Sequence, residues 1–474
     1  MKNILFSMVV LTGIIVNAQT TIVDEKFEKD NFPLGYNFLQ NNNKIVIQKG
    51  KHIGISTNRM INNLYSYDSN GKKETLLENV EVMNCSFSNA GSSFSVVDYA
   101  KMSYSGKTYK VYTDGKSSPS ISTDDWYQRS NDQYELSIVN QKGNKKVDFE
   151  KDQLYLSIVD ILTRKGSKIQ LEKPDLARLR TENAVKYFQD LTFSIKMNEN
   201  NFELITKFIS KDYKSSILYR TVYNFEGKKI EDLAYKTEIQ DGFLIYCSNG
   251  GGTVRYGTAA GSNAFLDDLS IDNFMVDKKT EDVYVYGIFG DHARKSREIG
   301  NDPLGYYIFK YDKKGNKIWE SINPISDKKD YNDSQTTTTI LASLIIRNNE
   351  LVFSTAPVAE RNKEYLHYAI LDKASGNVTK GKKITYKSDN IHTMMSGTRL
   401  FLLSFCSNKE ELKNKVFDNN GLIALDTNQE YANYISSIKS KSKLFFNTFF
   451  SKEGIWLLES DNESYYKTTY FKLI

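Results

Sequence analysis

One unit recurs along this chain of 474 residues and narrows what it can fold into: an alternating aromatic or aliphatic strand, a short polar turn with Gly or Asn, then a second strand. The clearest copies are Leu64–Gly71 (LYSYDSNG), Leu136–Gly143 (LSIVNQKG), Leu218–Gly227 (LYRTVYNFEG), Tyr307–Gly315 (YIFKYDKKG), Tyr368–Gly376 (YAILDKASG) and Leu422–Asn428 (LIALDTN). Asp or Asn at the turn start can bond the backbone two residues on, and Gly supplies the positive φ of a tight hairpin. Copies lie roughly 50 to 90 residues apart, more than common repeat periods, so loop insertions must fill the excess.

Two further strands precede several copies. For the fourth they are Ile271 to Val276 and Asp282 to Phe289, joined by a polar turn; for the fifth, Leu341 to Arg347 and Glu350 to Thr355, joined at Asn348 and Asn349. Four strands in meander order are the anatomy of a β-propeller blade. The chain ends with three strands, Leu444 to Phe450, Ile455 to Glu459 and Tyr465 to Ile474, one short of a blade. The alternating segment Thr20 to Phe27 can supply the fourth, so pairing of the N-terminal strand with the C-terminal strands closes the ring and removes exposed edges. The expected fold is all-β, a propeller of seven blades, with six or eight as alternatives.

Composition agrees: aromatics make up 13% of the chain, with 31 Tyr, 26 Phe and only six Pro, the residue types that suit a pleated, half-buried surface. Pairs such as Tyr65 and Tyr67, Tyr306 and Tyr307, and Tyr465 and Tyr466 stand inside strands, where packing between blades is their expected role. The region from about 78 to 190 is least regular: strands Phe94 to Tyr99, Lys107 to Thr113 and Leu154 to Ile161 fit one elaborated blade or two. Within it, Pro174 to Leu191 reads as an inserted helix. A second helix is expected after Cys406, where Ser407 and Glu410 have capping-box spacing and Leu412 and Val416 are four apart.

Residues 1–18 read as a signal peptide: Lys2, an apolar run from Ile4 to Val16, and small residues Val16 and Ala18 before a cut that leaves Gln19 first. That run is shorter than the about 20 residues a membrane span needs. No Cys stands at the cut to carry a lipid, so the expectation is an exported protein, periplasmic or secreted, with residues 19–474 as a single propeller domain. Cys85, Cys247 and Cys406 each sit in or at the end of an apolar run and are expected to be buried; their odd number prevents full pairing, and one disulfide is left open. The 63 basic and 58 acidic residues are interspersed and nearly balanced, unlike the clustered basic surface of nucleic-acid binders.

Two units resemble the quinoprotein-type (PQQ-like) propeller repeat, whose turn reads roughly Asp-x-x-Thr-Gly-x-x-x-Trp. Asp312 to Trp319 matches with one residue fewer before Gly315, Asp372 to Gly376 matches without the Trp, and Ile423 to Asp426 is a fragment. The resemblance implies that Trp319 packs between neighbouring blades. Nothing matches that family's quinone and calcium site, so it does not imply a quinoprotein dehydrogenase.

Candidate chemistry is sparse. The glycine-rich stretch Ser248 to Gly261 lacks the Gly-Lys-Ser/Thr ending of a phosphate loop; Arg255 and Tyr256 make it a candidate ligand contact, since functional residues favour loops. Asp291 and His292, followed by Arg294, Lys295 and Arg297, pair a His with a carboxylate, a combination suited to acid–base work. Asp267 and Asp268, like Asp124 and Asp125, are neighbours whose side chains would point to opposite faces of a strand, so each pair offers one carboxylate to any glycosidase-like site. His52, His292, His367 and His392 form no pair with metal-ligand spacing, so neither a metal nor a cofactor is expected. The reading is an interaction module whose loop face binds an envelope or extracellular protein or glycan, with no chemistry of its own, no nucleic acid and no membrane insertion. The alternative is a polysaccharide-active enzyme with carboxylates at the mouth of the central channel.

Overall fold

In the computed structural model the described residues are 19–26, 32–39, 43–52, 60–82, 85–90, 93–104, 107–112, 128–130, 134–142, 151–160, 166–171, 192–197, 200–210, 212–248, 269–277, 279–291, 303–325, 339–358, 365–385, 387–388, 392–395, 398–401, 405–406, 412–461 and 465–473. They form an all-β propeller built from antiparallel meanders in chain order. Sheet 1 comprises Phe32–Leu39, Lys44–His52, Met60–Asp68 and Lys73–Val82. Sheet 2 comprises Cys85–Ala90, Ser93–Tyr104 and Lys107–Tyr112, and sheet 3 Gln128–Ser130, Tyr134–Asn140, Leu154–Asp160 and Gly166–Gln170. The irregular region thus resolves into two sheets.

Sheet 4 runs through Thr192–Met197, Phe202–Ile209, Ser215–Tyr223 and Lys229–Glu238. In sheet 5, Val283–Gly290, Pro303–Tyr311 and Lys317–Pro324 follow an inner position that two segments share. Sheet 6 contains Thr339–Arg347, Glu350–Val358, Tyr365–Asp372 and Val378–Thr385. Sheet 7 joins Leu444–Phe450, Gly454–Ser460 and Tyr465–Lys472 to Gln19–Lys26, which pairs antiparallel along Tyr465–Lys472 as ring closure requires. A separate hairpin pairs His392–Met395 with Thr398–Phe401.

Apolar clusters seat sheets 3 to 7 on one another in turn and sheet 7 on sheet 1. Leu136, Leu156 and Ile158 of sheet 3 meet Phe202, Leu204 and Tyr223 of sheet 4; Ile205 and Leu218 meet Val285 and Phe309 of sheet 5; Tyr286 and Tyr306 meet Leu344 and Phe353 of sheet 6. Sheet 7 meets sheet 1 through Trp456 and Tyr470 against Ile45, Ile47 and Tyr67. Burial of such side chains contributes about 1.5–3 kcal/mol each, and Tyr67, Tyr306, Tyr307 and Tyr466 are all buried, the packing role expected of them. Cys247 is buried; Cys85 and Cys406 lie on strands Cys85–Ala90 and Phe405–Cys406.

The turns follow their sequence. Asp68, Asn224 and Asp312 each accept the backbone N–H four residues on, and Asp68 and Asp312 also the one two residues on. Gly71, Gly227, Gly315 and Gly376 have φ between +75° and +85°, where L side chains are strained. Three of these glycines touch the outer strand of the preceding sheet: Gly227 faces Ile169, Gly315 faces Leu233, and Gly376 faces the ring of Trp319. Trp319 therefore packs between sheets 5 and 6, as the resemblance implied. The second copy differs, because after Asn140 the chain returns only at Leu154, which pairs with it, and not directly after Gly143.

Two expectations fail beside sheet 7. Leu422–Asn428 is not a strand and turn: it lies mainly in helix α1 (Asn419–Thr427), followed by α2 (Gln429–Ser437). Asp418 caps α1 by accepting from Gly421 N, and Asn428 caps α2 by accepting from Tyr431 N, so capping outweighs the alternating pattern. Val416 sits in the strand Lys415–Phe417, not in a helix, because that segment pairs in parallel with Leu444–Phe450; Ser407 and Glu410 lie outside the described residues, as does the helix expected over 174–191. The helices fill the wedge between sheets 6 and 7, where Leu422, Ile423, Tyr431 and Ile435 meet Tyr368, Ile370, Phe446 and Phe471. Lys415, itself buried, donates to the carbonyl of Ile435 at the end of α2 at 2.6 Å, a favourable place for a cation.

Candidate functional site

The outer strands Lys229–Glu238, Lys317–Pro324 and Gln19–Lys26 are largely exposed, which identifies the opposite edges as the inner, axial ones. At the inner edge of sheet 5, Phe243–Ile245 pairs with the upper part of Val283–Gly290 and Asn273–Val276 with the lower part. Between them the chain leaves the sheet: Cys247–Ser248 pairs in parallel with Leu341 of sheet 6 and antiparallel with Leu269–Ser270. The ends of the insertion between Ser248 and Leu269 are thus held side by side at the axial edge, Cys247 opposite Ser270 and Ser248 opposite Leu269.

Beneath this junction is a buried polar root centred on Asp272, which is 1% exposed. Tyr307 OH donates to Asp272 Oδ1 at 2.8 Å and to the Ile271 carbonyl at 2.9 Å. Ser216 Oγ donates to Asp272 Oδ2, and Lys207 Nζ to the Asp272 carbonyl. Asn273 Nδ2 lies 3.3 Å from Cys247 Sγ. Burial raises the Asp272 carboxyl above its ordinary range, with Ser216, Tyr307, Lys207 and Thr237 opposing the shift; burial likewise pushes the Cys247 thiol up to about 12.

Gly287 lies opposite Tyr307 across the pairing of sheet 5. A Cβ there would collide with the Tyr307 hydroxyl and lie 2.7 Å from the Ile271 carbonyl, so only glycine lets the tyrosine reach the root. Sequence reasoning missed this site; the one feature that could have pointed to it is this glycine inside the run VYVYGIFG. Farther along the same two strands of sheet 4, four residues from Ser216 and Lys207, Arg220 Nε and Nη2 bind the two oxygens of Glu203 at 2.8 and 2.9 Å. Burial works against the Arg220 charge, but Glu203 prevails and raises the guanidinium pKa.

Of the candidate residues read from sequence, Asp291 lies exposed just past Val283–Gly290, about 13 Å along the strand from Gly287 at 3.3 Å per residue. The fold does not gather it with Asp272. Arg255, Tyr256, Asp267 and His292 lie outside the described residues. Among the described residues no group of three or more His, Cys, Asp or Glu is placed to hold a metal ion, and no helix is long and apolar enough to cross a membrane. Asp272 has both oxygens occupied by donors, an arrangement that anchors a junction.

No protein-family model matches the chain, and no curated protein matches it. Solved structures similar to it include the arabinanase of Bacillus subtilis, at 10% identity over 73% of this chain and 93% of that one, with a TM-score of 0.26. An alpha-L-arabinanase of Penicillium chrysogenum complexed with arabinobiose is similar at 8% identity over 72% and 92%, TM-score 0.28. An alpha-L-arabinofuranosidase of Fusarium graminearum is similar at 10% identity over 73% and 92%, TM-score 0.28. Scores of this size carry no argument about chemistry, and the propeller stands on its own sheet order and packing.

Proposed function

We propose that this is an exported β-propeller that binds an envelope or extracellular glycan or protein at its axis, through the residues inserted between Ser248 and Leu269. One observation carries the reading: the inner strand of sheet 5 is split, and both ends of the insertion are paired together over a fully buried polar root. A scaffold that fastens the base of a glycine-rich segment containing Arg255 and Tyr256 suits presentation of that segment to a ligand. Export rests on the sequence alone: Lys2, the apolar run from Ile4 to Val16, and the small residues Val16 and Ala18 before the expected cut.

The test is binding of the mature chain to polysaccharides and proteins of its own envelope, beside a variant in which residues 249–268 are replaced by a short Gly-Ser linker. Saturable binding lost in the variant supports the reading; equal binding by both overturns it. A second reading is a polysaccharide-active enzyme with carboxylates such as Asp267 or Asp291 at the mouth of the central channel. Release of reducing ends, abolished by Asp267→Asn or Asp291→Asn, would establish it in place of simple binding.

A further inference from the structure

The outer strand of sheet 7, Gln19–Lys26, comes from the opposite end of the chain to its neighbours. It pairs over its full length, from Gln19 opposite Phe471 to Lys26 opposite Tyr465, with an irregularity between Thr21 and Val23. Its side chains contribute little: Val23 alone is buried, against Ile45, Ile47 and Tyr67 of sheet 1 and Trp456 and Tyr470 of sheet 7. Two residues on, and so on the same face, Glu25 accepts from Tyr466 OH at 2.6 Å and pairs with Lys49 of sheet 1. The Lys49 ammonium lies 5.4 and 5.7 Å from the ring centroids of Tyr65 and Tyr466. Gln19, Thr20, Thr21, Asp24 and Lys26 are exposed.

Recognition of this strand therefore reduces to main-chain pairing plus the buried Val23, the partly buried Ile22 and the Glu25 carboxylate. Gly454–Ser460, by contrast, is buried at every residue, and Tyr465–Lys472 stands between it and the outer strand. Segments with few buried contacts open first, an uncovered edge accepts an added strand, and residues 27–31 alone separate this strand in sequence from Phe32–Leu39 of sheet 1. We propose that Gln19–Lys26 is an exchangeable latch: it leaves sheet 7 without unfolding the propeller, and the edge Tyr465–Lys472 then takes the same strand from a second copy of the chain.

The test uses the full mature chain. Hydrogen exchange should be at least tenfold faster in residues 19–26 than in Gly454–Ser460; equal rates would overturn the proposal. A fluorescent peptide of residues 19–27 stands in for the second copy's strand. It should bind saturably, at least tenfold more tightly to the Glu25→Lys protein, whose resident strand is weakened, than to the unaltered one. The same peptide with Val23→Asp and Glu25→Lys should not bind. Absence of peptide binding to folded Glu25→Lys protein overturns the proposal, and if that variant does not fold, Val23→Ala takes its place in the same measurement.

Discussion

The ring of Trp319, on the outer strand of sheet 5, lies where a side chain on Gly376 of sheet 6 would have to go: a Cβ built there falls 2.6 Å from Trp319 Cε3. Gly71 has a similar φ, +82° against +75°, with no atom within 4 Å of its Cβ position. The pair separates backbone strain from packing between sheets. Gly71→Ala should lower stability by about 1–2 kcal/mol, the strain of a left-handed residue, and Gly376→Ala by about 1–3 kcal/mol more through overpacking. Urea denaturation checks both, and combining Gly376→Ala with Trp319→Ala should recover part of the extra loss.

His367 gives the fold a defined acid sensitivity. It is buried beside Tyr306, its Nδ1 has no hydrogen-bond partner, and burial followed by the Lys383 charge lowers its pKa from 6.5 to about 4. A base with a depressed folded pKa contributes stability that is present above pH 6.5 and lost as pH falls toward 4, about 1.4 kcal/mol per unit within that window. Asp418, which burial pushes up to about 7, acts in the opposite sense, its contribution growing as pH falls from 7. His367→Gln should therefore be less acid-sensitive than the unaltered protein between pH 6.5 and 4.5, measured as the difference in urea midpoint.

Glu203 and Arg220 form a pair with side chains 3% and 13% exposed. Removing one partner leaves a buried charge uncompensated, so Glu203→Leu or Arg220→Met alone should cost about 3–5 kcal/mol. The double substitution should cost less than either single one. Chemical denaturation of the three variants tests this, and simple additivity would contradict it.

The root at Asp272 predicts the reactivity of a thiol. Cys247 is fully buried and its thiol pKa is raised, so it should resist maleimide in the native protein. Asp272→Ala removes the carboxylate that accepts from Tyr307 and Ser216 and should raise Cys247 labelling at least tenfold, read by peptide mass spectrometry. Asp272→Asn, which keeps the shape and one acceptor, should raise it far less.

Much of the frame was legible because each turn announces itself locally: Asp68 and Asp312 set the backbone, and the glycines three residues on accept the conformation no other residue adopts easily. Ring closure was legible because an alternating strand at one end answered a deficit at the other. The helices beside sheet 7 were missed because LIALDTN alternates like a strand, while the deciding groups, the caps at Asp418 and Asn428, act through single hydrogen bonds outside that pattern. The split inner strand was illegible for a different reason. Ile245 and Asn273 come together only on Val283–Gly290, and pairing across so long an insertion leaves no local trace except Gly287.

The clamp between Cys247 and Ser270 also makes the propeller indifferent to what is strung between its jaws. With both ends fixed by the frame, doubling the intervening length adds only about 0.6 kcal/mol of closure entropy. The position is thus a natural cassette: sequence there can lengthen, diverge or be replaced by a foreign peptide while the seven sheets keep their registers.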